Sequence, residues 1–223
     1  MRILILSAHP DDETIGCGGT MLAHVQRGDD VHWTIVTKAT PDRWAPATIR
    51  AKEAEVERVA RAFGIKDVAW LGLPSTRLTD LPLNEVVDAL RQVIERVRPE
   101  IVYLVHHGDV HTDHQVVANA AMIVLKAFHM RRLGVRRILA FECLSSTEAA
   151  PPFPARAFLP NVYCDITPYL ERKLEIMRMF GTEVQDDPLP RGSSAIRALA
   201  RVRGAAIGVE YAEAFMLVRE VDA

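Results

Sequence analysis

Residues 7–19 read SAHPDDETIGCGG, directly after RILILS at 2–7. A six-residue run that is apolar nearly throughout, with no polar alternation, is what a strand covered on both faces requires, so the first element belongs to a parallel sheet rather than a half-exposed one. Immediately after it come His9, Asp11, Asp12 and Glu13. An unpaired carboxylate in a packed interior costs several kcal/mol. Something has to offset this cluster, and in open α/β sheets the carboxyl ends of the strands are where ligands sit.

The pattern outward from this stretch repeats strand and helix. A glycine-rich turn leads to a helix predicted from about Gly18 to Arg27, closed by Gly28, and VHWTIVT at 31–37 is the second strand. Ile49, Val56, Val59, Ala60 and Phe63 recur at helical spacing before Gly64, and DVAWLGL at 67–73 is the third strand. At 82–98, Leu83, Val86, Val87, Leu90, Val93, Ile94 and Val97 trace one helix face, which Pro99 ends. EIVYLV at 100–105 is a fourth strand opening into HHGDVHTDH, inside which a long helix starts and runs to about Phe128. RRILAFEC at 136–143 reads as a fifth strand, and the proline-rich SSTEAAPPFPARAFLPN at 145–161 as a long loop of the kind that walls or covers a site. Thr167 and Pro168 are predicted to cap and start a helix reaching about Phe180. A helix at about 193–203 and a terminal strand at 212–220 complete the series. The expectation is an α/β fold, a Rossmann-like domain spanning 1–223, with a largely parallel twisted sheet flanked by helices.

Composition narrows the function. Hydrophobic residues make up 49% and charged residues 25% of 223 residues, with a formal net charge of -2, so no basic field argues for nucleic acid. No apolar run approaches the roughly 20 residues of a transmembrane helix, and the N-terminus does not read as a signal peptide. Cys17, Cys143 and Cys164 are scattered, which argues against a disulfide framework or a CxxC metal site and fits a reducing cytoplasm.

Four of the eight histidines fall within 106–114. Histidine and carboxylate converging from two strand ends is the chemistry of a divalent metal such as zinc, which takes about three protein ligands at a catalytic site and keeps one position open. His9 and Asp12, three apart across a turn, can share one ion. His111 and His114, three apart on a helix, share a face. One of these two completes the ligand set while the other does acid or electrophilic work. Glu13 fits a helix-entry charge as well as a catalytic duty, and His106 and His107 read as strand-end packing residues. The glycines in GCGG at 16–19 lack the GxGxxG spacing of a dinucleotide loop, so close strand-to-helix packing is the better reading.

AHPDDE after the first strand, together with HTDH after the fourth, resembles the LmbE-like (PIG-L) family of zinc-dependent N-deacetylases. IRAKEAEVERVARAFGI at 49–65, VAWLGLP at 68–74 and RVRGAAIGVEYAEAF at 201–215 extend the resemblance over nearly the whole chain. It implies that His9, Asp12 and His114 hold one Zn2+ per chain, and that Asp11 is the general base toward the attacking water. His111 would polarise the carbonyl or stabilise the oxyanion and help return a proton to the leaving amine. Asp109 and Asp113 would orient the histidines, and Arg50 would bind sugar hydroxyls. The same donors accept other divalent transition metals. The implied substrate is an N-acetylated amino sugar or glycoconjugate, cleaved to acetate and a free amine. Homo-oligomers are common in that family. Where many relatives have an aspartate after the third strand, LGLPS places Ser75, so the identity of the sugar is not carried over. The competing functions on the same scaffold are a metal-dependent phosphoesterase, which often needs two ions, and a noncatalytic metal- or sugar-binding protein.

Overall fold

The computed structural model describes residues 1–65 and 67–222. Among the described residues seven strands, β1 (Arg2–Ser7), β2 (Asp30–Lys38), β3 (Asp67–Pro74), β4 (Ile101–Val105), β5 (Arg137–Phe141), β6 (Val162–Asp165) and β7 (Ala212–Glu220), form one sheet in the order β3-β2-β1-β4-β5-β7-β6. Strands β1 to β5 are mutually parallel, whereas β7 runs antiparallel to both β5 and β6. The helices are α1 (Asp12–Gln26), α2 (Pro46–Phe63), α3 (Leu83–Val97), α4 (Thr112–Val124), α5 (Ala127–Leu133), α6 (Leu170–Met177) and α7 (Ser193–Ala205). No described helix is long and apolar enough to cross a membrane.

The chain winds from β1 outward through β2 to β3, then returns to the other side of β1 with β4 and β5. The direction of winding therefore reverses between β1 and β4, and the crevice at their carboxyl ends is the topological switch point of the sheet. Ile3 to Leu6 of β1 and Val102 to Val105 of β4 are buried, as their unbroken apolar sequences require. Most of the α3 face read from sequence is buried, with Val86, Val87, Leu90, Val93, Ile94 and Val97 in the core, but Leu83, placed on the same face, is the first residue of the helix and is exposed.

The sequence reading is corrected at four places. The first helix begins at Asp12 rather than near Gly18, because Asp11, the last residue of the short turn 8–11, adopts a left-handed backbone (φ 105°) that turns the chain into the helix. The charged first turn belongs to the helix even though it carries no apolar period. The helix expected to reach Phe128 ends at Val124, where Lys126 takes an extended conformation before α5 starts. Thr167 does not cap α6, which starts at Leu170; its hydroxyl instead accepts the Tyr211 N–H at 3.1 Å, tying the helix approach to β7. The short β6 was not anticipated, since four residues with partners only on one side leave almost no periodic signal.

Helix α1 carries the strongest local constraint. Cys17 is non-helical (φ −144°, ψ 19°), and the kink leaves backbone groups without their usual i to i−4 partners. The N–H groups of Gly19 and Thr20 donate to the two carboxylate oxygens of Glu213 at 2.8 and 2.7 Å. Lys173 Nζ donates to the Ile15 carbonyl and to Glu213, both at 2.7 Å. A buried ion pair from α6 and β7 thus stands in for the missing helix bonds. At Gly16 a Cβ would lie 2.1 Å from the Phe141 ring, so only glycine lets α1 press against β5. Replacing Lys173 by Met leaves Glu213 as a buried carboxylate without its counter-charge. Urea unfolding of Lys173→Met should show a loss of about 3–5 kcal/mol relative to wild type; a change below about 1 kcal/mol would show that the pair does not support the kink.

Candidate metal centre and active site

Both clusters singled out in the sequence lie at the switch point. His9 and Asp11 occupy the turn after β1, Asp12 opens α1, Asp109 lies in the loop after β4, and His111, Asp113 and His114 stand at the start of α4. Asp11, Asp12, Glu13, Asp109, Asp113 and His114 are all buried, whereas His9 and His111 are partly exposed.

The two histidines expected as ligands are each held from behind by a carboxylate. His9 Nε2 donates to Asp113 Oδ2 at 2.9 Å, which leaves its Nδ1 lone pair toward Asp12 Oδ2, 3.8 Å away. His114 Nδ1 donates to Asp109 Oδ2 at 2.8 Å, which leaves Nε2 toward Asp12 Oδ1 at 3.2 Å. Asp113 is itself fixed by the N–H groups of Thr76 (2.6 Å) and Leu78 (3.1 Å), and Asp109 by the Thr147 hydroxyl (2.6 Å). A carboxylate that fixes the tautomer and raises the basicity of a ligating imidazole is the usual outer partner of a metal-bound histidine.

The electrostatics point the same way. Burial disfavours a charged His114, but Asp12 and Asp109 outweigh it and push the imidazole up to about 10. Burial likewise opposes ionisation of Asp12, yet His114 and His9 hold its carboxyl below the usual range. Two acceptors thus meet over a short distance, and a proton is drawn between them where a cation would serve both. The donors of His9, His111 and His114 lie within 4.8 Å of one another, as do those of Asp12, His114 and Cys143. The residues fit a nitrogen- and oxygen-ligated divalent ion of the zinc type.

Asp11 stands beside this donor set and outside it. Burial and the adjacent Asp12 push its carboxyl up to about 8, against the opposing pull of Arg191. Arg191 Nη1 donates to Asp11 Oδ2 at 3.1 Å and to Glu183 Oε2 at 2.9 Å. Among the described residues, Asp11 Oδ1 has no hydrogen-bond partner. His111 caps α4, its Nδ1 accepting the Asp113 N–H at 3.2 Å, so in neutral His111 the proton resides on Nε2. Burial, then the neighbouring His9 and His114, hold this imidazole down at about 4, so it is neutral at physiological pH. Glu13 turns inward: it accepts from the Thr14 hydroxyl at 2.6 Å and from the Asp11 N–H at 3.2 Å, which supports the strained turn.

His9, Asp11, Asp12, His111 and His114 line a cavity of about 350 Å³ whose outer wall includes Trp44, Trp70, Lys52, Ser75 and Arg191. Arg50 is not brought to it. Ile49, Lys52 and Glu53 of α2 line the cavity, but Arg50, about 100° further round the helix from Ile49, is exposed and off the lining. Ser75 is buried on the wall, with its N–H on the Lys38 carbonyl at 3.1 Å. His106 is buried with Nε2 on the Arg156 carbonyl at 2.9 Å. Arg191, Lys52, Thr147 and Cys143 are the residues that sequence reasoning missed. Arg191 lies in an aperiodic loop 180 residues from Asp11, and no motif connects the two.

The family model described as PIG-L, GlcNAc-PI de-N-acetylase, matches residues 4–125, which contain both clusters. A probable N-acetyl-alpha-D-glucosaminyl L-malate deacetylase of Bacillus anthracis is 24% identical over 198 residues, covering 83% of this chain and 84% of that protein. The inhibitor-bound N,N'-diacetylchitobiose deacetylase of Pyrococcus horikoshii superposes with a TM-score of 0.75 at 25% identity, over 97% of this chain and 83% of the other. The 4-carboxy-2-hydroxymuconate hydratase of Pseudomonas putida shares the fold alone, with a TM-score of 0.71 at 18% identity over 100% of this chain and 98% of that one. With a match spanning more than half of its length and both signature clusters, the chain belongs to the PIG-L (LmbE-like) family.

Proposed function

We propose that the protein is a metal-dependent N-deacetylase that hydrolyses the N-acetyl amide of an amino sugar or glycoconjugate, releasing acetate and a free amine. The family and its named deacetylases support the hydrolytic class, but the same fold also carries a hydratase, so the site has to carry the argument. The observation that carries it is Asp11: a buried carboxylate adjacent to the donor set, excluded from it, with one oxygen held by Arg191 and the other free. A protein that only bound metal or sugar would have no use for such a base.

His9, Asp12 and His114 would hold the ion, with Asp113 and Asp109 fixing the two imidazoles. A zinc ion held there supplies Lewis acidity toward the amide carbonyl and lowers the pKa of a water toward about 7. Beside a divalent cation the ionised form of Asp11 is favoured, and the Asp11 carboxylate then accepts the proton as water attacks the carbonyl carbon. His111, neutral and with its proton on Nε2, donates a hydrogen bond to the oxygen that gains negative charge. As the C–N bond breaks, the proton held by Asp11 passes to the departing nitrogen, which leaves as the amine. Trp44 and Trp70 offer apolar faces to the sugar ring, and Ser75 replaces a carboxylate with a neutral hydroxyl on the same wall.

Two measurements separate these roles. Asp11→Asn should keep about the wild-type metal content while the rate of acetate release from N-acetylated amino sugars falls roughly 10²–10⁴-fold; wild-type turnover in this variant would refute the assignment of the base. His111→Ala should also keep the metal and lose about 10²–10³ in kcat, whereas His114→Ala should lose the metal itself, read by elemental analysis of the purified chain.

A further inference from the structure

Cys143 is a chemistry-bearing side chain of the cavity that the proposed reaction does not use. It is 1% exposed, yet it lines the cavity, and among the described residues it is the one cysteine that does so. Its Sγ lies 3.6 Å from the Asp12 carbonyl and 3.8 Å from Asp12 Oδ1. The donor atoms of Asp12, His114 and Cys143 fall within 4.8 Å of one another. Sulfur and nitrogen bound to one tetrahedral zinc stand about 3.5 Å apart, given bond lengths of about 2.3 and 2.0 Å, so a small rotation of the thiol reaches an ion seated on Asp12 and His114.

The position of Cys143 is built, and built by the same group that orients His114. Asp109 Oδ2 accepts from His114 Nδ1, while Asp109 Oδ1 accepts the Thr147 hydroxyl. The Thr147 oxygen in turn accepts the Cys143 N–H at 2.8 Å, and the Thr147 N–H returns to the Cys143 carbonyl at 2.8 Å. One carboxylate therefore sets both an imidazole ligand and the turn that presents the thiol.

We infer that Cys143 is a fourth, thiolate donor, beside His9, Asp12 and His114, to a thiophilic ion in the resting site, and that it occupies the position an attacking water needs until water displaces it. The inference rests on the proposed metal site. On ligation the thiol proton leaves to solvent and a sulfur lone pair forms the bond to the ion, with no change of oxidation state. Soft and borderline ions recruit the sulfur, whereas hard, oxygen-seeking ions leave it protonated. The side chain thus makes the resting state of the site depend on which metal fills it.

The test is the absorption spectrum of the full chain reconstituted with Co2+. Wild type should show visible ligand-field bands together with a sulfur-to-cobalt charge-transfer band in the near ultraviolet. Cys143→Ser should keep the visible bands and the Co2+ stoichiometry and lose the near-ultraviolet band. It should also weaken Cd2+ binding relative to Mn2+ by at least the roughly tenfold that even an outer partner of a ligand is worth. Visible bands without a near-ultraviolet band in wild type would overturn the thiolate inference and leave the metal site standing; a near-ultraviolet band that persists in Cys143→Ser would overturn it as well. No Co2+ binding by wild type would overturn both readings. The wild-type spectrum alone decides the matter if the variant fails to fold.

Discussion

The constraint on which the rest depends is the burial of like charge at one end of the sheet. Asp11, Asp12, Glu13, Asp109 and Asp113 are all withdrawn from water within two short segments. Fully ionised and unpaired, they would cost more than the stability of an ordinary domain, which is about 5–15 kcal/mol. The structure divides them. Asp109 and Asp113 pair with imidazoles, Asp12 sits between two imidazoles, and Glu13 and Asp11 are driven toward their neutral forms. What remains is a point between Asp12 and the two histidines where positive charge is wanted.

The scaffold holds this point through backbone geometry more than through side-chain packing. Reversal of the winding between β1 and β4 opens the crevice. The left-handed Asp11 starts α1 at once, which places Asp12 in the first helical turn and Asp11 just outside it. Further along the same helix, the kink at Cys17 is held by Lys173 and Glu213 from the other end of the chain. The segment that carries the aspartates is thereby fixed at its two ends, one by a strained turn and the other by a buried ion pair. The proposed roles follow from that placement: adjacent aspartates on either side of a helix boundary point to different tasks.

Much of this was legible in the residues. The uninterrupted apolar run before HPDDE and the 3.6-residue stripe of 82–98 gave the parallel sheet and its flanking helices, because both signals depend on burial on known faces. The two His/Asp clusters gave the candidate donors, since few other chemistries gather imidazole and carboxylate after two strands. Local rules failed where tertiary partners overrode them. Thr167 looked like a helix cap until its hydroxyl was needed by Tyr211, and Arg50 followed the helix period away from the cavity that its neighbours Ile49 and Lys52 line.

The amino-acid sequence by itself determined the fold class, the place of the site at the strand ends and the residue types that meet there, all of which follow from local periodicity and from the cost of burying charge. Only the tertiary structure decided which carboxylate stands behind which histidine, that Arg191 reaches Asp11 from 180 residues away, and that Cys143 faces Asp12. These are contacts between segments brought together by the winding of the sheet. No spacing along the chain encodes them, because their geometry is set by strand order and by how closely helix α1 can approach its neighbours.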